Sequence, residues 1–146
     1  STTTIIVHGI PAPQGSKRHV GKGVLIESSK AVKPWREAVK WAAREIGAPR
    51  ISGPVRVDIV FTLPRPKKYL PAKHRNALPA VQPDGDKLER ATWDALTQAG
   101  VIEDDARVVA WSGRKCYVGS DHGMETPGAV IVVSSVGAGE EAGQHG

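Results

Sequence analysis

Apolar residues recur at helical spacing in two stretches of the chain and alternate or cluster as in strands in four others. Trp35, Ala38, Val39, Ala42 and Ile46 fall on one helical face, behind Pro34, which suits a first turn, and ahead of Gly47 and Pro49, which stop the helix. Leu88, Ala91, Ala95, Leu96 and Ala99 predict a second helix over about residues 87–99, capped by Gly100. Residues 3–9 (TTIIVHG) form a short β-branched run, hence a strand. Residues 54–63 set Val55, Val57, Ile59 and Phe61 against Arg56, Asp58 and Thr62, the alternation of a half-buried strand. Two more strands are expected near residues 107–118 and 128–136, as a hairpin-like pair that finishes the chain. The stretch QGSKRHVGKGVLIES, with Lys17, Arg18, His19 and Lys22 around Gly21 and Gly23, reads as a basic hairpin or a mobile loop. Residues 64–83, rich in proline and lysine, read as a long surface loop. The pattern predicts an α+β fold in which a mixed β-sheet is covered by two helices. Residues 1–136 are expected to form one domain, and 137–146 a solvated, disordered tail.

Charge narrows the class. A net charge of +5 points to nucleic acid ahead of an anionic membrane surface. The lone Cys116 excludes an intramolecular disulfide, no apolar run approaches a membrane span, and the first residues lack the features of a signal peptide. These features predict a soluble, cytoplasmic protein.

Against that basic background, residues 83–105 gather Asp84, Asp86, Glu89, Asp94, Glu103, Asp104 and Asp105, with only Lys87 and Arg90 to offset them. Just upstream, Arg65, Lys67, Lys68, Lys73 and Arg75 lie in a run without acids. Local roles exist for several of these carboxylates. Asp86 suits the N-cap of the second helix with Glu89 completing a capping box, and Asp86, Arg90 and Asp94 have the spacing of a salt-bridge ladder. Geometry adds a second possibility. The helix rises about 17 Å, and an extended return over residues 101–105 covers about the same distance. A chain turning back at Gly100 brings residue 105 beside the helix N-terminus, where Asp84 and Asp86 sit. Alternation lets only one of Asp104 and Asp105 join them. Three converging carboxylates with no histidine or cysteine nearby suit a hard cation, Mg²⁺ or Mn²⁺, and the five histidines have no zinc-ligand spacing. Trp35 and Trp93 are assigned to packing, and Trp111 is left open.

At these residues the chain resembles the RusA family of Holliday-junction resolvases, crossover junction endodeoxyribonucleases common in phages and prophages. The likeness lies in Pro83-Asp84-Gly85-Asp86, Arg90, Asp94-Ala95-Leu96, Ala99-Gly100 and Asp104-Asp105, with a weaker match at residues 9–15. It implies Mg²⁺-dependent cleavage of four-way DNA junctions by a homodimer, with Asp84, Asp86 and Asp105 as catalytic, metal-binding carboxylates. Arg90 stands at the family's basic position, usually lysine, and Lys87 where the family usually has asparagine. Arginine braces phosphate charge but does not give up its proton.

The mechanism expected from this reading is phosphodiester hydrolysis, with Arg90 bracing the transition state. Lys17, Arg18, Lys67, Lys68, Lys73, Arg75 and Lys87 are the candidate DNA contacts. Paired symmetric cuts across a junction suit a two-fold dimer. The competing expectation is a catalytically weak or inactive protein that binds branched DNA. A nucleotide hydrolase finds little support, because Gly21-Lys22-Gly23 is too short to cradle a phosphate chain.

Overall fold

The structure, a computed structural model, describes residues 1–15, 17–19, 25–27 and 30–137, with the backbone alone at 17–19 and 25–27. The expected turn at Gly21 and Gly23, with Lys22, and the tail from residue 138 lie outside the described residues. Among those described, the elements in chain order are β1 (Thr2–His8), β2 (Lys17–His19), β3 (Leu25–Glu27), α1 (Val32–Glu45), β4 (Val55–Leu63), α2 (Pro71–His74), α3 (Gly85–Gln98), β5 (Val108–Tyr117) and β6 (Gly128–Ser135). Short 3-10 turns cover Lys67–Tyr69 and Asp105–Arg107.

The sheet has the order β1-β6-β4-β5. β4 pairs with β5 in parallel and with β6 antiparallel, and β6 pairs antiparallel with β1. The sheet is therefore mixed, as the alternating segments predict. The last two strands are not a hairpin, however: β4 lies between them. The reason is burial. Val55, Val57, Ile59, Phe61, Thr62 and Leu63 of β4 are all buried, so this strand takes the centre of the sheet with both edges paired. Parallel pairing of β4 and β5 needs a crossover, which α3 provides. β2 and β3 pair antiparallel in a separate two-stranded sheet.

Helices α1 and α3 pack against each other over the sheet, which places Trp35, Val39, Leu88, Ala91, Ala95 and Leu96 in one core with Ile5, Val7, Val57, Ile59, Ile131 and Val133. The Trp35 indole N–H donates to Thr92 Oγ1 at 3.1 Å, and Thr92 Oγ1 donates to the Leu88 carbonyl at 2.9 Å. At the rim of the helix pair, Arg36 Nη1 meets Asp94 Oδ2 at 2.8 Å. Asp94 thus serves the α1–α3 contact and not a ladder with Arg90. Ile46, expected in the core, is exposed, because α1 ends at Glu45 and Ile46 is its C-cap. Gly100 ends α3 with φ 78, a left-handed conformation that a side chain would strain.

Residues 64–83 carry more order than a bare surface loop. The Arg65 guanidinium and its Nε donate to the carbonyls of Val118, Tyr69, His74 and Arg75 at 2.7–3.0 Å, winding the segment around one side chain. Arg65 is spent on structure, whereas Lys67, Lys68 and Lys73 are exposed. Replacing Arg65 by Ala is expected to expose the segment to trypsin at Lys67, Lys68, Lys73 and Arg75, and to lower unfolding free energy by about 1–3 kcal/mol. Limited proteolysis and urea titration check both.

Candidate functional site

The buried face of α3 leaves a second stripe, Asp86, Glu89, Arg90, Trp93 and Thr97, at the i, i+3/i+4 spacing of one helical side. This stripe looks onto β5, and the two elements run side by side in opposite directions. Thr97 lies opposite Asp105, Trp93 opposite Trp111, Glu89 opposite Gly113, and the helix entrance opposite Lys115. Two adjoining hollows of about 390 and 430 Å³ lie along this seam and share Asp86, Glu89 and Trp111. The first also touches Phe61, Gly85, Gly113, Arg114 and Lys115; the second touches Arg90, Trp93 and Asp105.

Glu89 is the unusual group in this cleft. Its residue is only 9% exposed, and neither carboxyl oxygen has a hydrogen-bond partner among the described residues. Burial pushes its pKa up to about 7; the nearby Trp93 indole opposes this and the Asp58 charge adds to it. The Trp93 N–H does not reach hydrogen-bond geometry, so it only tempers the effect of burial. Room for the carboxyl exists because residue 113 is glycine: a Cβ there would run into Glu89 Oε1. The capping-box role expected of Glu89 is therefore overturned. Helix α3 begins at Gly85 with Asp84 as N-cap and no side-chain cap bond, so Asp86 already lies inside the first turn and Glu89 points to the cleft.

The expected site residues divide as follows. Asp86, Arg90 and Asp105 line the cleft. Asp84 stands at the helix entrance, outside both hollows, half exposed and with Oδ2 3.8 Å from Lys87 Nζ. Asp105 Oδ1 accepts a 2.5 Å hydrogen bond from Thr97 Oγ1, whereas Asp104 Oδ1 accepts from the Asp105 backbone N–H and caps the 3-10 turn. The two neighbours thus diverge, through the cap of a 3-10 turn and not through strand alternation. Asp105 is not beside the helix N-terminus, however. Val101 and Ile102 are buried and bridge to Ile51, so the chain crosses toward the sheet before β5 runs back along the helix. Thr97 lies about 16 Å along the helix axis from Asp86. Among the described residues no group of three His, Cys, Asp or Glu side chains is close enough to hold a metal ion. The donor chemistry still suits a hard cation, since Asp84, Asp86 and Asp105 offer carboxylate oxygen alone.

Of the basic candidates, Lys67, Lys68 and Lys73 are exposed. Lys68 Nζ sits 5.0 Å from the Tyr69 ring centroid, and Arg75 lies 3.8 Å from Asp121. Lys17 and Arg18 are on β2, where only the backbone is described. Two cations were missed. Arg114 and Lys115 line the cleft from β5, and Lys115 Nζ donates to the carbonyls of Val81 and Pro83, both at 2.8 Å. Their signal is the polar run Ser112-Gly113-Arg114-Lys115 in the middle of a strand. Trp35 and Trp93 both pack on the core as expected, and Trp93 also meets Trp111 edge-on at 5.5 Å where the two face the cleft. No helix among the described residues is long and apolar enough to cross a membrane.

Residues 8–131 match a protein-family model described as endodeoxyribonuclease RusA, a span that includes α3, β5 and the whole cleft. No curated protein matches the chain.

Burial of Glu89 has a consequence for stability. The folded chain keeps this proton up to about pH 7, whereas the unfolded chain loses it above the ordinary value of 4.5. The folded state therefore binds more protons between those values, and stability falls as pH rises across the window. The loss is at most about 3 kcal/mol. Glu89→Gln removes the ionisable group. Its urea midpoint is expected to match wild type at pH 4 and to exceed it at pH 8.

Proposed function

The chain belongs to the RusA endodeoxyribonuclease family, and from that membership we propose that it resolves four-way (Holliday) DNA junctions by paired, symmetric, Mg²⁺-dependent phosphodiester cleavage. The observation that carries the reading is the α3–β5 cleft, which Asp86, Asp105 and Arg90 line within the matched span. Asp84 and Asp86, at the helix entrance, are the residues that would hold the cation, Mg²⁺ or Mn²⁺; Asp105, beside Thr97, stands apart from them. When bound, it lowers the pKa of water and draws charge from the phosphate oxygens.

The chain's own groups do the rest. Arg90, exposed on the second turn of α3, braces the charge that builds on phosphorus. The α3 N-terminus presents its partial positive charge at the same end. Lys115, tied to the Val81 and Pro83 carbonyls, fixes the approach to Asp84 and Asp86. Lys17, Arg18, Lys67, Lys68, Lys73, Arg75 and Lys87 are the proposed phosphate contacts. A homodimer supplies the two opposed cuts.

A second reading, a branched-DNA-binding protein that cleaves weakly or not at all, draws on the lack of a three-carboxylate cluster among the described residues. A four-way junction, a linear duplex and a single strand, each with and without Mg²⁺, separate the two. The first reading expects paired nicks in the junction, lost with EDTA and reduced about 10²–10³-fold or more by Asp84→Asn or Asp86→Asn. Tight junction binding without nicking selects the second. In either case Lys67→Ala/Lys68→Ala should flatten the logarithmic dependence of binding on salt by about two.

A further inference from the structure

We propose that Glu89 is a further catalytic residue, the acid that protonates the leaving sugar oxygen during phosphodiester cleavage. The assignment rests on the nuclease reading above and on three features of the cleft. Glu89 lines both hollows, yet its carboxyl is more than nine-tenths buried and unpartnered among the described residues. The opposite strand makes room for it only through Gly113. It also lies one turn from Asp86 and lines the second hollow together with Arg90, which places the acid and the phosphate-bracing cation on one cleft.

Elimination points the same way. Arg90 and Arg114 keep their protons at any working pH. Lys115 commits its ammonium to two carbonyls, and Lys87 borders Asp84 outside both hollows. Glu89, by contrast, still carries a proton near neutral pH because it is buried, and it can release that proton. The groups around it are Asp58 on β4, Asp105 on the turn before β5, Arg114 and Lys115 on β5, and Asp86, Arg90 and Trp93 on its own helix.

The step balances without another reactant. The oxygen of the attacking water bonds to phosphorus and one of its protons passes to solvent. The bond from phosphorus to the leaving sugar oxygen breaks, with the electron pair on that oxygen. This oxygen takes the Glu89 proton and departs as a hydroxyl, and the carboxylate regains a proton from solvent before the next turnover.

The test compares single-turnover cleavage of a four-way junction with that of the same junction carrying sulfur in place of the leaving bridging oxygen. Both bridging positions are substituted in turn at the mapped cut site. A thiolate leaves without protonation, since a thiol has a pKa of about 8.5. Glu89→Gln, isosteric with the protonated acid, is expected to slow the oxygen junction by about 10²–10⁴-fold while leaving the sulfur junction within about threefold of wild type. Wild type gives an independent readout that requires no variant. Its rate on the oxygen junction should fall relative to the sulfur junction as pH rises and Glu89 loses its proton. Equal slowing of both junctions, no slowing of the oxygen junction, or an oxygen-to-sulfur ratio that ignores pH overturns the role of Glu89 while leaving the nuclease reading intact. A wild-type protein that cuts neither junction overturns both.

Discussion

Helix α3 is held on the sheet by Leu88, Ala91, Ala95 and Leu96, none of which is exposed. That contact dictates the opposite stripe. With the apolar face committed to the core and Thr92 locked to Trp35, the helix cannot rotate, and Asp86, Glu89, Arg90 and Trp93 must face β5. Burying Leu88 and Leu96 contributes about 1.5–3 kcal/mol each, more than the ~0–1 kcal/mol of an exposed ion pair. Hydrophobic packing thus orients the charged residues, and the Arg36–Asp94 pair only trims the edge.

The cleft brings together carboxylates in two different solvents. Asp84 and Asp86 are exposed at the helix entrance, where water or a cation can offset their charge. Glu89, one turn further in, is largely buried at the cleft wall, and its proton is the cheaper way to neutralise it. Two neighbouring acids of one helix can therefore serve different chemistry, one holding charge and the other holding a proton.

Much of this was legible from residue order alone. The periodicity of residues 88–99 marks α3 and its buried face, Gly100 marks its end, and the alternation of Val55, Val57, Ile59 and Phe61 marks the central strand. The grouping of Asp84, Asp86, Arg90, Asp94 and Asp105 carried the family. What escaped depended on tertiary partners. Burial on both sides of β4 decides strand order, and no local pattern states it. The path of residues 101–105 is set by Val101 and Ile102 entering the core beside Ile51, which removed the extended return that would have carried Asp105 to the helix entrance. Glu89 fits a capping box by spacing, but two residues more of helix at the N-terminus turn it from a cap into a cleft residue. Arg114 and Lys115 sit on a strand whose inner face meets a polar cleft, so the usual alternation of β5 is lost.

The Lys115 tether has a mechanical meaning. It fastens the carbonyls of Val81 and Pro83 to β5, while at the far end of the same segment Arg65 fastens four other carbonyls. The segment is thus fastened by one cation near each end. Lys67 and Lys73 lie inside the loop that Arg65 closes, so a load on either is borne first by Arg65, while the backbone that leads into Asp84 is held separately by Lys115.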